Sequence, residues 1–438
     1  MVNAAKVKIW GKDVGVLMWD KTLGLSSFQY YPSFLKLNIP LSPIHLPLSQ
    51  GQKVYRFQEL RNNSTFKGLP GLIADSLPDK YGNQLINEWL AKNGRSENSL
   101  NPIEQLCFIG KRGMGALEFE PDKLNQENQN FEIELDSLVK VAQKVLNQKN
   151  NFQRNWKNEE EEALIDLLKV GTSAGGARPK AIISWNKKTN QIKSGQASTE
   201  EGYEHWILKL DGVSDVQFGS SEGYGRIEMA YYLMAKAAGI NIMESRLLEE
   251  NGRAHFMTKR FDRSEKGEKW HIQTFCGMQH FDFNEVTRYS YEQLFATMRL
   301  LKLSYPEAQE QFRRMVFNVL AKNCDDHTKN FAFRLKPNQA WELAPAYDVC
   351  FSYRPGSNWV SQHALSINGK REHFYESDMM ALANKINIKS NVAKSIIEEV
   401  RKAVSDWNKF AVELAVEKEK QKAISKILND TNKVFEAS

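Results

Sequence analysis

The segment Pro306–Asp348 constrains the fold more than any other part of this 438-residue chain. Its first half sets Phe312, Met315, Val316, Val319 and Leu320 on one face at helical spacing. Pro306 stands at the start, where a helix has no use for the missing N–H. Its second half, Phe331-Ala332-Phe333-Arg334-Leu335, a Pro337-Asn338 turn and Trp341-Glu342-Leu343, reads as a hairpin. The octet between them, Asn323-Cys324-Asp325-Asp326-His327-Thr328-Lys329-Asn330, must then be a loop joining a buried helix to two short strands. Asp348 follows in Ala344-Pro345-Ala346-Tyr347-Asp348, just past the second strand.

These residue types suit phosphoryl transfer. Asp325 and Asn330 are separated as in the catalytic loop D-x-x-x-x-N of protein kinases, in which a carboxylate accepts or orients the hydroxyl proton. Asn330 and Asp348 would offer oxygen ligands to magnesium. Lys329 could offset charge on the transferred group. The plainer alternative is a polar loop that caps a helix, and Asp348 at the expected place weighs against it.

A second stretch, Gly171-Thr172-Ser173-Ala174-Gly175-Gly176-Ala177-Arg178-Pro179-Lys180, runs into the strand Ala181 to Trp185. Small residues let backbone N–H groups approach phosphate oxygens, although Gly176 is not followed by the Lys and Ser or Thr of a Walker A loop. Lys209 lies in the alternating strand His205 to Leu210, either toward phosphates or toward solvent. Tyr224 to Ala238 reads as an amphipathic helix. Phe256 to Arg263 leaves a strand, turns polar, and could form a hinge offering backbone groups to an adenine edge. The order of these parts is more specific than any one of them.

The leading residues suggest a hairpin over Val7 to Trp19, a strand near Ser27 to Leu35, a dense loop over Phe66 to Asp79 and a helix over Tyr81 to Ala91. Gly110-Lys111-Arg112-Gly113-Met114-Gly115 reads as a turn before the strand Ala116 to Phe119, in preference to an anion cradle. Asp122 to Asn130 reads as a linker, Glu159 to Glu162 as a solvated acidic helix face, and Val412 to Leu428 as an exposed Lys/Glu-rich helix. A net charge of +6 permits an anionic partner without demanding one. Cys107, Cys276, Cys324 and Cys350 lack CxxC spacing, which suggests reduced thiols. With no apolar signal core in Met1 to Trp10 and no bilayer-length apolar run, a cytoplasmic protein without membrane contact is expected.

Taken together, the chain resembles the HipA-like serine/threonine kinases, the toxin component of bacterial toxin–antitoxin pairs. The resemblance rests on Asn323 to Asn330, Pro345 to Asp348, Arg260-Phe261-Asp262-Arg263, the Gly175 to Lys180 loop and Phe66 to Asp79. It implies an α+β, two-lobed kinase-like fold with an extra amino-terminal α/β domain and a helical C-terminal lobe. The boundaries would be an amino-terminal domain over 1–122, a linker region over 123–155 and a catalytic domain over 156–438, its N-lobe ending near 262. Asp325 would be the catalytic aspartate, with Asn330 and Asp348 on magnesium. ATP would be contacted by Gly175, Gly176, Ala177, Arg178, Pro179, Lys180, Lys209, Lys259, Arg260, Phe261, His327, Thr328, Lys329, Asn330, Tyr347 and Asp348. Ser173, or alternatively Thr172, matches the autophosphorylated serine that switches the family's kinases off. Lys259 departs from the pattern, standing where some members carry Glu. The implied partners are a protein substrate, such as an aminoacyl-tRNA synthetase, and a helix-turn-helix antitoxin through which operator DNA is contacted. A small-molecule hydroxyl kinase and an inactive corepressor scaffold are the alternatives. Asp325, Asn330, Asp348 and Lys209 together weigh against the scaffold.

Overall fold

The computed structural model describes residues 2–96, 99–122, 133–147, 158–171, 178–195, 201–215, 219–220 and 223–436. They divide into two compact units, Met1–Gly225 with Arg246–Ile272, and Arg226–Ser245 with Gln273–Ser438.

In the first unit, β1 (Ala4–Ile9), β2 (Lys12–Asp20), β3 (Leu25–Tyr30) and β4 (Leu117–Glu120) form an antiparallel sheet of order β3-β2-β1-β4. Trp10 and Gly11 make the β1–β2 turn with φ of 48° and 71°, the positive values that a two-residue hairpin loop requires. The strand expected near Ser27 to Leu35 stops at Tyr30. Pro32 cannot donate to a ladder and opens the helical turn Pro32–Leu35 instead. The helix expected from Tyr81 is Lys80–Lys92, capped by Asp79, whose carboxylate accepts from Gly82 N at 2.6 Å.

A second sheet is built from β5 (Lys180–Asn186), β6 (Ile192–Ser194) and β7 (Tyr203–Lys209). After the short pair β8 (Ser214–Asp215) and β9 (Gly219–Ser220), it adds β10 (Ser245–Glu250) and β11 (Arg253–Lys259). Its order is β10-β11-β7-β5-β6. Helices Lys80–Lys92, Leu135–Asn147 and Asn158–Gly171 bury Leu85, Leu138, Leu164 and Leu167 in one core with Trp206, Leu208 and Met257 of this sheet. Each such side chain contributes about 1.5–3 kcal/mol by leaving water. Asn158–Gly171 thus has a buried face through Leu164 and Leu167, while the side chains of Glu159 to Glu162 lie outside the described ones.

The Gly110 to Gly115 loop is a turn with a structural partner 147 residues away. Gly115 N donates to Asp262 Oδ2 at 2.7 Å. Arg260 clasps Asp262 through Nε at 2.8 Å and Nη2 at 2.6 Å, and Arg263 Nη1 reaches Oδ2 at 2.6 Å. Arg263 also donates to Gly115 O at 3.1 Å. Gly115 has a φ of +76°, and a Cβ there would meet Ile272 N at 3.2 Å, so the approach needs glycine.

In the second unit, β13 (Ala332–Leu335) and β14 (Trp341–Leu343) pair antiparallel as expected, with Asn338 at φ 59° in the turn. They join β12 (His271–Thr274), whose last two residues belong to this unit, in the order β12-β13-β14. The helix opened by Pro306 is Tyr305–Leu320; Glu307 Oε2 accepts from Ser304 N at 2.7 Å to close a capping box. It buries Phe312, Met315, Val316 and Val319 and packs against Ser390–Ser405. The helix expected over Val412 to Leu428 is two. Trp407–Glu413 ends where Ala415 turns left-handed at φ 52°, with Val416 N bonded back to Ala411 O. Lys418–Glu436 then buries Ile424, Leu428 and Phe435. Among the described residues, no helix is long and apolar enough to cross a membrane. None of the four cysteines forms a disulfide.

Candidate active site

The chain leaves helix Tyr305–Leu320 through Lys322 at φ 51° and enters the octet. Asn323 and Ser352 form a parallel bridge, and Asn323 Nδ2 donates to Asn318 Oδ1 at 2.9 Å. The next two carboxylates face different surroundings. Asp326 is buried and takes three bonds: from Tyr291 Oη at 2.7 Å, His363 Nδ1 at 2.8 Å and Ala364 N at 2.7 Å. Burial alone would lower the His363 pKa, but Cys324 and Asp326 beside it outweigh burial and push it up to about 10. A charged His363 therefore compensates Asp326, and the pair fixes the middle of the loop from beneath.

Asp325 keeps 36% of its side chain exposed. Its backbone carbonyl accepts from Asn330 Nδ2 at 2.6 Å, tying the two ends of the D-x-x-x-x-N span together and leaving the amide oxygen of Asn330 as its acceptor. Its carboxylate Oδ1 accepts from Trp359 Nε1 at 2.6 Å and lies 3.7 Å from His327 Nε2. Surrounding protein raises the Asp325 pKa above the ordinary value. His327 and the Trp359 bond oppose that rise, and the neighbouring Asp348 and Asp326 charges add to it. His327 Nδ1 accepts from Lys329 N at 3.2 Å, which leaves the ring proton on Nε2, facing Asp325. Lys329 stands 4.6 Å over the Phe283 ring, and its carbonyl takes Tyr347 Oη at 2.6 Å. Asp348 adopts φ 51°, uncommon for a residue with a Cβ and a frequent mark of functional positions.

The second unit thus brings together Asp325, His327, Lys329, Asn330, Tyr347 and Asp348. Thr328 belongs to the same turn, but it is buried and spends its hydroxyl on Phe281 O at 2.9 Å, so it anchors the loop. Trp359, Asp326 and His363 were not among the sequence candidates. Trp359 and His363 are 34 and 37 residues from their partners, and no local pattern signals such pairs.

The first unit holds the other candidates. Lys180 and Lys209 are direct partners across β5 and β7, so both side chains leave the same face of the sheet. Lys209 Nζ is 5.7 Å from the Phe256 ring centre, and Lys180 is buried. Pro179 O accepts from Leu210 N at 3.0 Å, and Arg178 lies 4.1 Å over Tyr224. Lys259 is paired with Glu204 at 2.6 Å, which offsets the charge by which it departs from the family pattern. Arg260, implied as an ATP contact, has little side chain to offer one. Its guanidinium is 1% exposed and held by Asp262, and its N–H is bonded to His205 O, so only its carbonyl remains for a ligand. Phe261 is likewise buried. Gly175, Gly176, Ala177, Ser173 and Thr172 lie outside the described residues.

No curated protein matches the chain. Among solved structures, it is similar to HipA in a Shewanella oneidensis MR-1 complex of HipA, HipB and operator DNA. Identity is 19% over 98% of this chain and 95% of that one, with a TM-score of 0.66, which establishes a shared fold. A Helicobacter pylori proinflammatory kinase, CtkA, matches at 15% identity over 52% of this chain and 94% of its own. Its TM-score of 0.32 carries no argument. Residues 5–120 match the model of the HipA N-terminal domain, and residues 172–407, more than half of the chain, match that of the HipA-like C-terminal domain. The chain belongs to the HipA-like family.

Proposed function

We propose that this chain is an ATP- and magnesium-dependent serine/threonine protein kinase acting as a toxin, with a two-lobed catalytic region over 156–438 behind an amino-terminal domain over 1–122 and a linker over 123–155. The observation that carries the reading is the bond from Asn330 Nδ2 to Asp325 O beside a left-handed Asp348. It ties the two ends of the D-x-x-x-x-N span together, with the Asp325 carboxylate suited to the acceptor proton and the side-chain oxygens of Asn330 and Asp348 suited to a cation.

The residues fit magnesium. Among the described residues no three His, Cys, Asp or Glu converge. Magnesium, however, is commonly held by one or two carboxylates together with substrate phosphates and water. Asn330 and Asp348 would hold it, and it would supply charge neutralisation at the phosphates. Asp325 accepts the acceptor hydroxyl's proton, Lys329 offsets developing charge, and Lys180 and Lys209 provide two cations on one sheet face for phosphate oxygens.

The acceptor is a cellular protein such as an aminoacyl-tRNA synthetase, and Ser173, or Thr172, is the autophosphorylated residue. A helix-turn-helix antitoxin restrains the kinase and brings it to operator DNA. The similar Shewanella protein, solved with HipB and operator DNA, supports that partner. The test is incubation with labelled ATP and magnesium, with label located by mass spectrometry. Wild type is expected to transfer label. Asp325→Asn should bind nucleotide yet transfer nothing, because an amide cannot take the proton. Transfer near the wild-type rate by Asp325→Asn would remove Asp325 from this role.

A further inference from the structure

The two oxygens of Asp325 are not equivalent. Oδ1 accepts from the Trp359 indole at 2.6 Å and has His327 Nε2 at 3.7 Å. Among the described residues no hydrogen bond reaches Oδ2, although the side chain is about one-third open to solvent.

Trp359 is held firmly for this contact. It follows a turn in which Ser357 Oγ accepts from Trp359 N at 3.1 Å and Val360 N at 3.2 Å, while Arg354 N donates to Val360 O at 3.1 Å. Its ring packs edge-on against His327, with centroids 5.7 Å apart, and against Phe283 at 6.1 Å. Phe283 is itself 5.3 Å from His327. Two aromatic neighbours and a capped turn therefore set the direction of one N–H.

We propose that Trp359 is a positioning residue for phosphoryl transfer: its indole N–H, with His327 on the same side, occupies Asp325 Oδ1 and so commits Oδ2 to the acceptor hydroxyl. This rests on the kinase reading above. In the step it serves, the acceptor O–H gives its proton to Oδ2 as the oxygen–phosphorus bond to the γ-phosphoryl group forms. The bond from that phosphorus to the bridging oxygen breaks, and ADP leaves. Without the indole, the carboxylate can rotate about its own axis and either oxygen can turn away. Misplacement of about 1 Å at a reacting group can lower a rate about a hundredfold.

The experiment compares full-length wild type, Trp359→Phe and Trp359→Gln in transfer from magnesium-ATP. Phe keeps the ring without the donor. Gln places an amide N–H the same number of bonds from Cβ as the indole nitrogen, without the ring. Trp359→Phe should lose about tenfold to a hundredfold in kcat, with the KM for ATP changed less than about threefold. Trp359→Gln should recover part of the loss. A wild-type or raised kcat in Trp359→Phe would overturn the proposal. So would failure of Gln to recover activity, or a loss matched by equal losses in ATP affinity and thermal stability, since each removes the donor from the explanation. Wild type inert with magnesium-ATP would instead sink the kinase reading, and this inference with it.

Discussion

Asp262 is the residue whose removal should do most damage outside the candidate site. Its side chain is fully buried between two guanidinium groups, those of Arg260 and Arg263, which are 1% and 7% exposed. Oδ2 alone takes bonds from Arg260, Arg263 and Gly115 N. Burial opposes the charge, yet the two arginines hold the carboxyl well below the usual carboxylate range. Asp262→Asn keeps shape and size but leaves two buried cations without an anion. Breaking a buried pair in this way costs about 3–5 kcal/mol. The assay is urea unfolding of both proteins at neutral pH, followed by tryptophan fluorescence. The first transition of Asp262→Asn should move to lower denaturant by that amount, with little change in slope. Lys259→Met, which breaks the half-exposed pair with Glu204, is the control and should cost less than about 1 kcal/mol. If Asp262→Asn costs no more than the control, the cluster is screened and the reasoning fails. Replacing Arg260 by Met in the same background should recover part of the loss, because it removes one of the stranded charges.

Asp348→Ala should weaken magnesium-dependent nucleotide binding, since one charged oxygen disappears from a site with few; unchanged affinity by calorimetry would make Asp348 purely structural. Stability should peak near pH 6.5. His205 and His271 are lowered by burial to about 3, so the unfolded chain binds their protons first and stability falls as pH drops from about 6.5 toward 3. His363 is raised to about 10, so its contribution is present below 6.5 and is lost as pH climbs through 10; a thermal-denaturation series flat across both windows would refute these assignments. Phosphate on Ser173 should lower ATP affinity about tenfold or more by repelling nucleotide phosphates, and equal titrations of modified and unmodified protein would reject that switch.

Much of the site was legible because it is local. Asp325 to Asn330 spans one turn, and the helix and hairpin around it show their periods within a few residues. What escaped was through-space. The fixing of the octet by Tyr291 and His363, and the hold of Trp359 on Asp325, join segments with no mark of each other in their composition. The Gly110 to Gly115 loop reads as a turn, but its partner lies far along the chain. Two boundaries failed for local reasons: Pro32 ends a strand that hydrophobicity would have extended, and Ala415 splits a helix that charge pattern would have continued.

The contact from His363 to Asp326 also bears on biosynthesis. A chain emerging from the ribosome presents Asp326 well before the histidine 37 residues later that compensates its charge. At about 5–20 residues per second, roughly two to seven seconds separate the two. During that interval the loop bearing Asp325 lacks part of what holds it.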